Sequence, residues 1–414
     1  MLHLKIMSKP RIFIAMHYME IGGAEASLVG LLEALNPARV DVDLFVYSHQ
    51  GVFMKAIPDY VNLLPENKAY AMFEKPMVEV LKRGHFRILM ARLLAKLKCR
   101  RHYRTHTSNG DRSAIQGYLG AEVSKVVPHL HEYGTYDLAI SYLTPHHFVL
   151  DHVLAKHKLA WIHTDYSKVY VDTQLELPVW GAYDGIVSIS ADVTKGFLHA
   201  FPTLRDKILE FQNILSERYI LSRADKPLPF DGYRRKGMLT LCSVGRISHA
   251  KNYDNIPYMA QSLKRLMELR GSVYGDFCWY IVGPGDHSAI DTLCETLGVK
   301  ENVVFLGASD NPYPYIKHCD IYVHPSRYEG KSIVVREAQV LCKPVIITDY
   351  PTAHSQLTDG VDGVICPQDS KKIAEAIYSL AHDEERRTRI VDYLQTHDYT
   401  GVEEVEKLYD LCIE

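Results

Sequence analysis

Glu329 and Glu337 stand eight positions apart, and Gly330 follows the first of them directly. Two carboxylates in one block can act as an acid–base pair or as acceptors for hydroxyl groups. An apolar run over residues 320–325 reads as a strand ending at Pro325, and residues 331–341 have helix-forming content stopped by Lys343-Pro344. Glu329 is therefore expected in a strand-to-helix loop, and Glu337 on the first or second turn of the helix. A glycine just before a helix start exposes backbone N–H groups and the positive end of the helix dipole, which suits a phosphate. A carboxylate would repel that phosphate, so Glu329 is expected to accept hydrogen bonds from hydroxyls. Hydroxyls beside phosphates mean a sugar nucleotide.

Other residues point the same way. An apolar run over 238–244 leads straight into Gly245-Arg246-Ile247-Ser248-His249-Ala250-Lys251, so two cations lie five positions apart in a loop after a strand. Parallel sheets bind ligands there, Arg gripping a phosphate with two bonds and Lys adding a point charge. Gly22-Gly23 follows the first apolar run and opens a helical pattern, where missing side chains let a ligand approach the backbone. Gly283-Pro284-Gly285 lacks one N–H that a pyrophosphate would use, and reads as a turn bordering a nucleotide base. His163 ends a short apolar run and is placed to bond a substrate hydroxyl or to hold a proton briefly. His146, His147 and His324 read as structural. Asp41-Val42-Asp43 imitates a metal-binding pair, but period-two alternation puts both carboxylates on one side of a strand, away from its C-terminal edge. No metal is expected.

These residues need parallel strands to position them. Apolar runs over 11–16, 40–47, 136–141, 159–162, 185–189 and 208–211 alternate with helical patterns, and the rhythm restarts over 238–244, 279–283, 303–306, 321–324 and 344–348. The expected class is α/β, with two Rossmann-like domains. The expected boundaries are 1–220 for the first domain, 221–236 for a linker and 237–395 for the second. A C-terminal helix over 396–414 is expected to pack back on the first domain. At 414 residues each half can bury its own core. A net charge of −3 gives no general attraction to nucleic acid. The eight cysteines show no CxxC pair and suggest free thiols in a reducing cytoplasm. The first residues lack the apolar core of a signal peptide, and no apolar run reaches membrane-spanning length.

Residues 76–104 break the sheet rhythm and read as a helical insertion in the first domain. Between Lys82 and Arg104 there are nine Lys or Arg and no acidic residue, with Phe86, Ile88, Leu89, Leu93, Leu94 and Leu97 interleaved. Two readings stand: a solvated helix face, or a basic amphipathic surface for anionic lipid headgroups, where each cation contributes about 1 kcal/mol. Nucleic acid is not expected, since no aromatic stacking platform accompanies the patch.

From Val244 to Pro367 the chain resembles the retaining glycosyltransferases of family four, the "group 1" enzymes of GT-B fold, in Gly245-Arg246 with Lys251, in Glu329-Gly330 and in Glu337-Ala338. The N-terminal half is similar through Gly22-Gly23 and His163. The resemblance implies two Rossmann-like domains whose parallel sheets face a central cleft, the donor on the C-terminal one and the acceptor on the N-terminal one. It implies that Arg246 and Lys251 hold the donor diphosphate, with Gly23 closing over it and Gly330, Lys331 and Ser332 beside it. Glu329 would accept from hydroxyls of the sugar, Glu337 from the ribose, and His163 would lie near the reacting centre. The family usually has an aromatic residue and a glycine where this chain has Lys331 and Ser332. It often has Asn-Gly-Val/Ile-Asp where Asn213-Ile214-Leu215 stands here.

The implied activity is hexosyl transfer from a nucleoside diphosphate to a hydroxyl of a glycan or lipid-linked acceptor, with retention and without a metal cofactor. Members building bacterial capsule or O-antigen polysaccharide are the nearest in form, which implies work in the cytoplasm at the inner face of the plasma membrane. Three rivals stand. A glycoside hydrolase using both glutamates is disfavoured, because eight residues at helical rise span about 12 Å and inverting pairs need about 6.5–9.5 Å. A nucleotide-sugar epimerase would form product without an acceptor. A non-catalytic nucleotide-sugar-binding or membrane-scaffold protein would show no turnover.

Overall fold

The computed structural model describes residues 9–20, 22–105, 111–164, 166–167, 169–228, 230–329 and 332–413. The chain forms two compact units, residues 1–215 with 401–414, and residues 216–400. Each is a parallel α/β sheet with its own core.

In the first unit the strands of the main sheet are β1 (Arg11–Met16), β2 (Asp41–Val46), β3 (Asn62–Leu63), β4 (Thr135–Ser141), β5 (Leu154–Ile162), β6 (Gly185–Ser188) and β7 (Ile208–Glu210). They pair in parallel in the order β3-β2-β1-β4-β5-β6-β7, beside a small parallel pair of Asp111–Arg112 with Val169–Tyr170. Phe13, Phe45, Tyr136, Trp180 and Phe197 fill the core on one side. Strand β5 starts five residues before its apolar run. His157 and Lys158 are drawn into the ladder opposite Leu138 and Ala139 of β4, so sheet pairing overrides their polarity. Asp43 spends its carboxylate on Arg11 (2.9 Å), Tyr136 (2.6 Å) and Asn62 (2.7 Å), a polar clamp inside the sheet.

In this unit α1 spans Gly23–Ala34. The basic insertion forms α2 (Met77–Lys82) and α3 (Phe86–Thr105), followed by α4 (Ala114–Val123). Arg92 turns inward from α3 and donates to the carbonyls of Met72 (2.8 Å) and Lys75 (2.6 Å), which docks the insertion. The last helix of the chain belongs to the same unit. Tyr409 Oη accepts from the Asn36 N–H at 2.7 Å, and Glu406 pairs with Arg39 at 2.8 Å.

The second unit has β8 (Met238–Val244), β9 (Asp276–Val282), β10 (Val303–Gly307), β11 (Ile321–His324), β12 (Val345–Thr348) and β13 (Val364–Cys366), ordered β10-β9-β8-β11-β12-β13. Both β8 and β9 are buried after their first residue, as central parallel strands covered on both faces must be. Leu241, Trp279, Ile281, Ile321 and Val323 lie in its core. The helices that matter below are α5 (Glu217–Ala224), α6 (Tyr313–His318) and α7 (Ile333–Val340).

The segment read as a linker does not cross freely. It begins with α5 and packs on the second unit, where Tyr233 is buried, stacks on Tyr280 at 4.3 Å and donates to the Tyr315 carbonyl at 2.7 Å. The cysteines are all free thiols, six of them buried.

Candidate active site

In each sheet the order places β1 or β8 inside the sheet, third from one edge, with neighbours on either side reached by crossovers in opposite directions. Ligands bind at the C-terminal edge of such a switch point. In the second unit the loops after β8 and β11 meet there. The Asn252 side chain, its backbone left-handed at φ 61°, donates to the Pro325 carbonyl at 2.9 Å. The Arg327 N–H donates to the Ala250 carbonyl at 2.8 Å, and the Arg327 guanidinium grips Asp254 at 2.7 Å. The cation-bearing loop and the carboxylate-bearing loop are thereby one rigid piece.

Gly283-Pro284-Gly285 supports it from behind. The Gly245 N–H donates to the Val282 carbonyl at 2.9 Å, and the Ile247 N–H to that of Pro284 at 2.8 Å. A Cβ on Gly283 would fall 2.0 Å from the Gly245 carbonyl oxygen, and its φ is +155°. The glycine is needed for this backbone approach, whatever lies beyond the turn.

At the centre of the piece is Glu329. Its Oε1 accepts from Lys251 Nζ at 2.5 Å, Ser326 Oγ at 2.7 Å and His324 Nε2 at 3.0 Å. Thr352 Oγ1 holds its carbonyl at 2.9 Å. Its Oε2 has no hydrogen-bond partner among the described residues. One oxygen is locked by three donors, and the other is left to accept.

Burial alone would raise the Glu329 pKa. The hydrogen bonds from His324 and Lys251 and the Lys251 charge outweigh it, joined in acid by the charge of protonated His324, and bring the carboxyl down to about 2. For His324 the balance runs the other way. Complete burial lowers its pKa, the bond to Glu329 opposes this, and the Lys251 cation lowers it further. The imidazole is therefore neutral near pH 7, with the proton on Nε2, and Lys251 is the cation that keeps Glu329 ionised. His324 was expected to be merely structural. It is a floor of the site, and its Nδ1 is buried without a partner among the described residues. Its position at the C-terminal end of a strand, five residues before Glu329, was the available signal.

Arg246 is exposed and makes no hydrogen bond or ion pair among the described residues. A guanidinium left free on a rigid loop is ready for an anion. Arg246→Ala is expected to leave the melting temperature unchanged while weakening binding of a nucleoside diphosphate about 10- to 100-fold, the value of one charge-assisted contact. Unchanged affinity by calorimetry would take Arg246 out of the site.

Glu337 sits on the second turn of α7. Tyr313 Oη, from α6, donates to its Oε1 at 2.9 Å. Burial pushes its pKa up to about 7, and the Tyr313 bond offsets this only in part. Unlike Glu329, it has no cation paired with it among the described residues. Tyr313 is a second residue that sequence reading passed over. It lies 24 positions away, and Tyr219 packs edge-on against its ring at 6.1 Å.

Gly330 and Lys331 lie outside the described residues. Ser332 differs from expectation. Its backbone N–H donates to Gln356 Oε1 at 3.1 Å and its carbonyl accepts from Gln356 Nε2 at 2.6 Å, so this N–H is not open to a phosphate. The Ser332 hydroxyl is buried and has no partner among the described residues, and is the group that remains available.

Two expected residues belong to the first unit. His163 directly follows β5, against Tyr142 at 4.7 Å and parallel to Trp161 at 6.3 Å. Burial lowers its pKa to about 3, so near pH 7 it is a neutral hydrogen-bonding group and does not store a proton. Its Nε2 has no partner among the described residues. Gly23 is the first residue of α1 and exposed. A Cβ there would meet nothing within 4 Å, whereas one on Gly22 would fall 2.2 Å from Glu25 Oε2. The Glu25 carboxyl is the movable end of a side chain, and the Gly22 φ of −163° is extended backbone that any residue adopts, so the fold itself forces glycine at neither position.

Two parallel α/β units make up the GT-B fold, and the second carries a cation-locked carboxylate at its strand ends. Anabaena HepE, solved in complex with UDP and glucose, superposes with a TM-score of 0.57 over 97% of this chain and 98% of its own, at 16% identity. An uncharacterized glycosyltransferase of Methanocaldococcus jannaschii is 23% identical over 284 residues, 60% of this chain and 67% of its own. A Campylobacter jejuni N,N'-diacetylbacillosaminyl-diphospho-undecaprenol alpha-1,3-N-acetylgalactosaminyltransferase is 29% identical over 117 residues, 27% of this chain and 31% of its own. Residues 228–397 match the family "Glycosyl transferases group 1". The C-terminal domain belongs to that family, and the protein is a glycosyltransferase of the group 1 type.

Proposed function

We propose that this enzyme moves a hexose-type sugar from a nucleoside diphosphate to a hydroxyl of a glycan or lipid-linked acceptor, retaining the anomeric configuration, in cell-surface polysaccharide synthesis of the capsule or O-antigen kind. The observation that carries this reading is the split role of Glu329, one oxygen fixed by three donors and the other open. A carboxylate at about pKa 2 accepts hydrogen bonds and does not deliver a proton. The open oxygen takes hydroxyls of the transferred sugar.

In this reading Lys251 and Arg246 meet the diphosphate, with Gly330, Lys331 and the Ser332 hydroxyl around it and Gly23 closing from the first domain. Glu337 accepts from the ribose. As the bond from the anomeric carbon to phosphate oxygen breaks, the leaving diphosphate gains charge, and the acceptor oxygen forms its bond on the same face. The acceptor proton passes to the leaving phosphate oxygen, so no enzyme nucleophile is required. Charge-assisted bonds from Arg246 and Lys251 contribute about 1.5–3 kcal/mol each, and the α7 dipole about 0.3–1 kcal/mol. Positioning supplies much of the rest. His163, neutral, bonds a hydroxyl near the reacting carbon. Two protein cations facing the diphosphate make added divalent metal unnecessary, and turnover is expected to survive chelation.

The Campylobacter enzyme's name supports a lipid-linked acceptor here, and with it a place at the inner membrane face, the basic stretch 82–104 toward the lipid. A hydrolase reading draws on the separation of the two glutamate pKa values, at about 2 and about 7. Turnover of sugars lacking a nucleotide would favour it.

The test is a thermal-shift panel of nucleoside diphosphates and their sugars, since a ligand at 100 times its Kd stabilises by about 2.7 kcal/mol. One base is expected to raise the melting temperature, and its sugar conjugate to transfer to an acceptor with retention by NMR. Product without acceptor would indicate epimerisation, and binding without turnover a scaffold. No response to any nucleoside diphosphate would overturn the reading.

A further inference from the structure

Helix α3 carries two apolar faces. Ile88, Ala91, Ala95 and Cys99 are buried against the first unit. On the opposite side Phe86, Met90, Leu93 and Leu97 recur at i, i+4, i+7 and i+11, which aligns them in one outward stripe. Phe86, Met90 and Leu97 are 60%, 63% and 62% exposed. Val78 and Leu81 of the neighbouring α2 are also exposed. Single exposed leucines are ordinary, whereas a patch of six large apolar side chains marks an interaction surface.

The charges around the stripe say what covers it. At 3.6 residues per turn, Lys96 and Arg100 flank it on one side and Arg87 and Arg101 on the other. From Lys82 to Arg104 the stretch has no acidic residue of its own. Glu79 pairs with Arg83 and Glu122 with Lys98, both off the stripe's flanks, where Arg87, Lys96, Arg100 and Arg101 stay the nearest charges. A second copy of this surface would bring like charges together, which disfavours self-pairing. Beside the stripe a groove of about 400 Å³ opens between α3 and α4, lined by Leu93, Leu97 and Ile115 with Lys96 and Arg100. An apolar recess with cations on its lining fits an acyl chain whose phosphate stays outside. None of the described helices is long and apolar enough to cross a membrane. A helix with these features lies in the interface plane instead.

We propose that α3 inserts this stripe into an anionic bilayer, with Lys96, Arg100 and Arg101 on headgroup phosphates and one acyl chain seated in the α3–α4 groove. The inference deepens the membrane placement given above and rests on it. It adds that binding is not electrostatic alone.

The test uses the full chain with vesicles of phosphatidylglycerol and phosphatidylcholine, against pure phosphatidylcholine, at low and high salt. Wild-type protein is expected to prefer the anionic vesicles and to retain part of its binding at high salt. Arg100→Gln with Arg101→Gln should weaken binding about 10- to 30-fold at low salt, at about 1 kcal/mol per cation. Met90→Asp with Leu97→Asp should abolish the salt-resistant part, and Leu97→Trp should shift its emission to the blue on vesicles. If folded Met90→Asp/Leu97→Asp protein binds as wild type does, or if anionic and neutral vesicles bind equally, the proposal is overturned. Dimerisation in place of vesicle binding overturns it too. Transfer to a water-soluble acceptor separates the two readings. Lost docking with transfer intact sinks only this surface, and docking without transfer sinks the proposed function.

Discussion

Lys251→Ala is expected to damage folding and turnover together, because one ammonium serves both. In the free protein it holds Glu329 at 2.5 Å, with side chains 18% and 14% exposed. Its removal leaves a mostly buried carboxylate with only a neutral imidazole and a hydroxyl. Glu329 has its folded pKa depressed from 4.5 to about 2. It therefore contributes stability above pH 4.5 that is lost as the pH falls toward 2, at most about 3 kcal/mol. Without Lys251 part of that contribution disappears, and acid unfolding should begin at a higher pH. Stability at pH 7 is expected to fall by about 1–3 kcal/mol. In catalysis the variant loses the contact to the diphosphate and the fixed geometry of Glu329. Two charge-assisted interactions at about 1.5–3 kcal/mol each make a loss of about 100- to 10,000-fold in kcat/KM for the donor. The loss in stability should shrink when Lys251→Ala is made on a Glu329→Gln background, since the pair is then already broken. A kcat/KM within a few-fold of wild type would show that the diphosphate does not meet this lysine.

The placement of the candidate residues is legible in the sequence wherever it is local. Glu329 in a strand-to-helix loop, Glu337 on the first or second turn, and Arg246 with Lys251 in the loop after a strand all follow from apolar runs and the residues that end them. What was not legible is pairing across the chain. Lys251 and Glu329 are 78 positions apart, and nothing in either motif says that the cation expected on a phosphate is first spent on the carboxylate. Tyr313 meets Glu337 only because α6 and α7 flank the same sheet edge. Gln356 reaches the Ser332 backbone from after β12. Residues 221–236 read as a linker, but Tyr233 inside them has its ring buried against Tyr280. His324 was passed over because a buried histidine in a strand is ordinarily satisfied by its own fold. Here its Nε2–H faces the Glu329 carboxylate, and its Nδ1 has no partner among the described residues.

Glu337→Gln is expected to do the opposite of Lys251→Ala: stabilise the free protein and weaken the donor. The folded pKa of Glu337 is raised from 4.5 to about 7, so between those values the folded state holds a proton that the unfolded chain has released. Stability from this group is present at low pH and declines as pH rises from 4.5 to 7. Above pH 7 the carboxylate is ionised in a poorly hydrated place with only Tyr313 to accept from, a cost of up to about 3 kcal/mol. Its partial exposure reduces that to about 1–2 kcal/mol. Glutamine keeps the shape and the Tyr313 hydrogen bond without the charge. The variant should melt higher than wild type at pH 8 and nearly equally at pH 4, below the unfolded-state pKa. Binding shows why such a costly residue is retained. An ionised carboxylate accepting from two ribose hydroxyls gives charge-assisted bonds of about 1.5–3 kcal/mol, so the variant should bind a nucleoside diphosphate about 10- to 100-fold more weakly at pH 8. For wild type the same affinity should decline as pH falls through 7, and for Glu337→Gln it should be flat across that range. A variant that gains stability at pH 8 but binds the nucleotide as tightly as wild type would leave Glu337 as a strained structural residue and place the ribose elsewhere. Stability unchanged at both pH values would mean instead that water already reaches this carboxylate in the free protein.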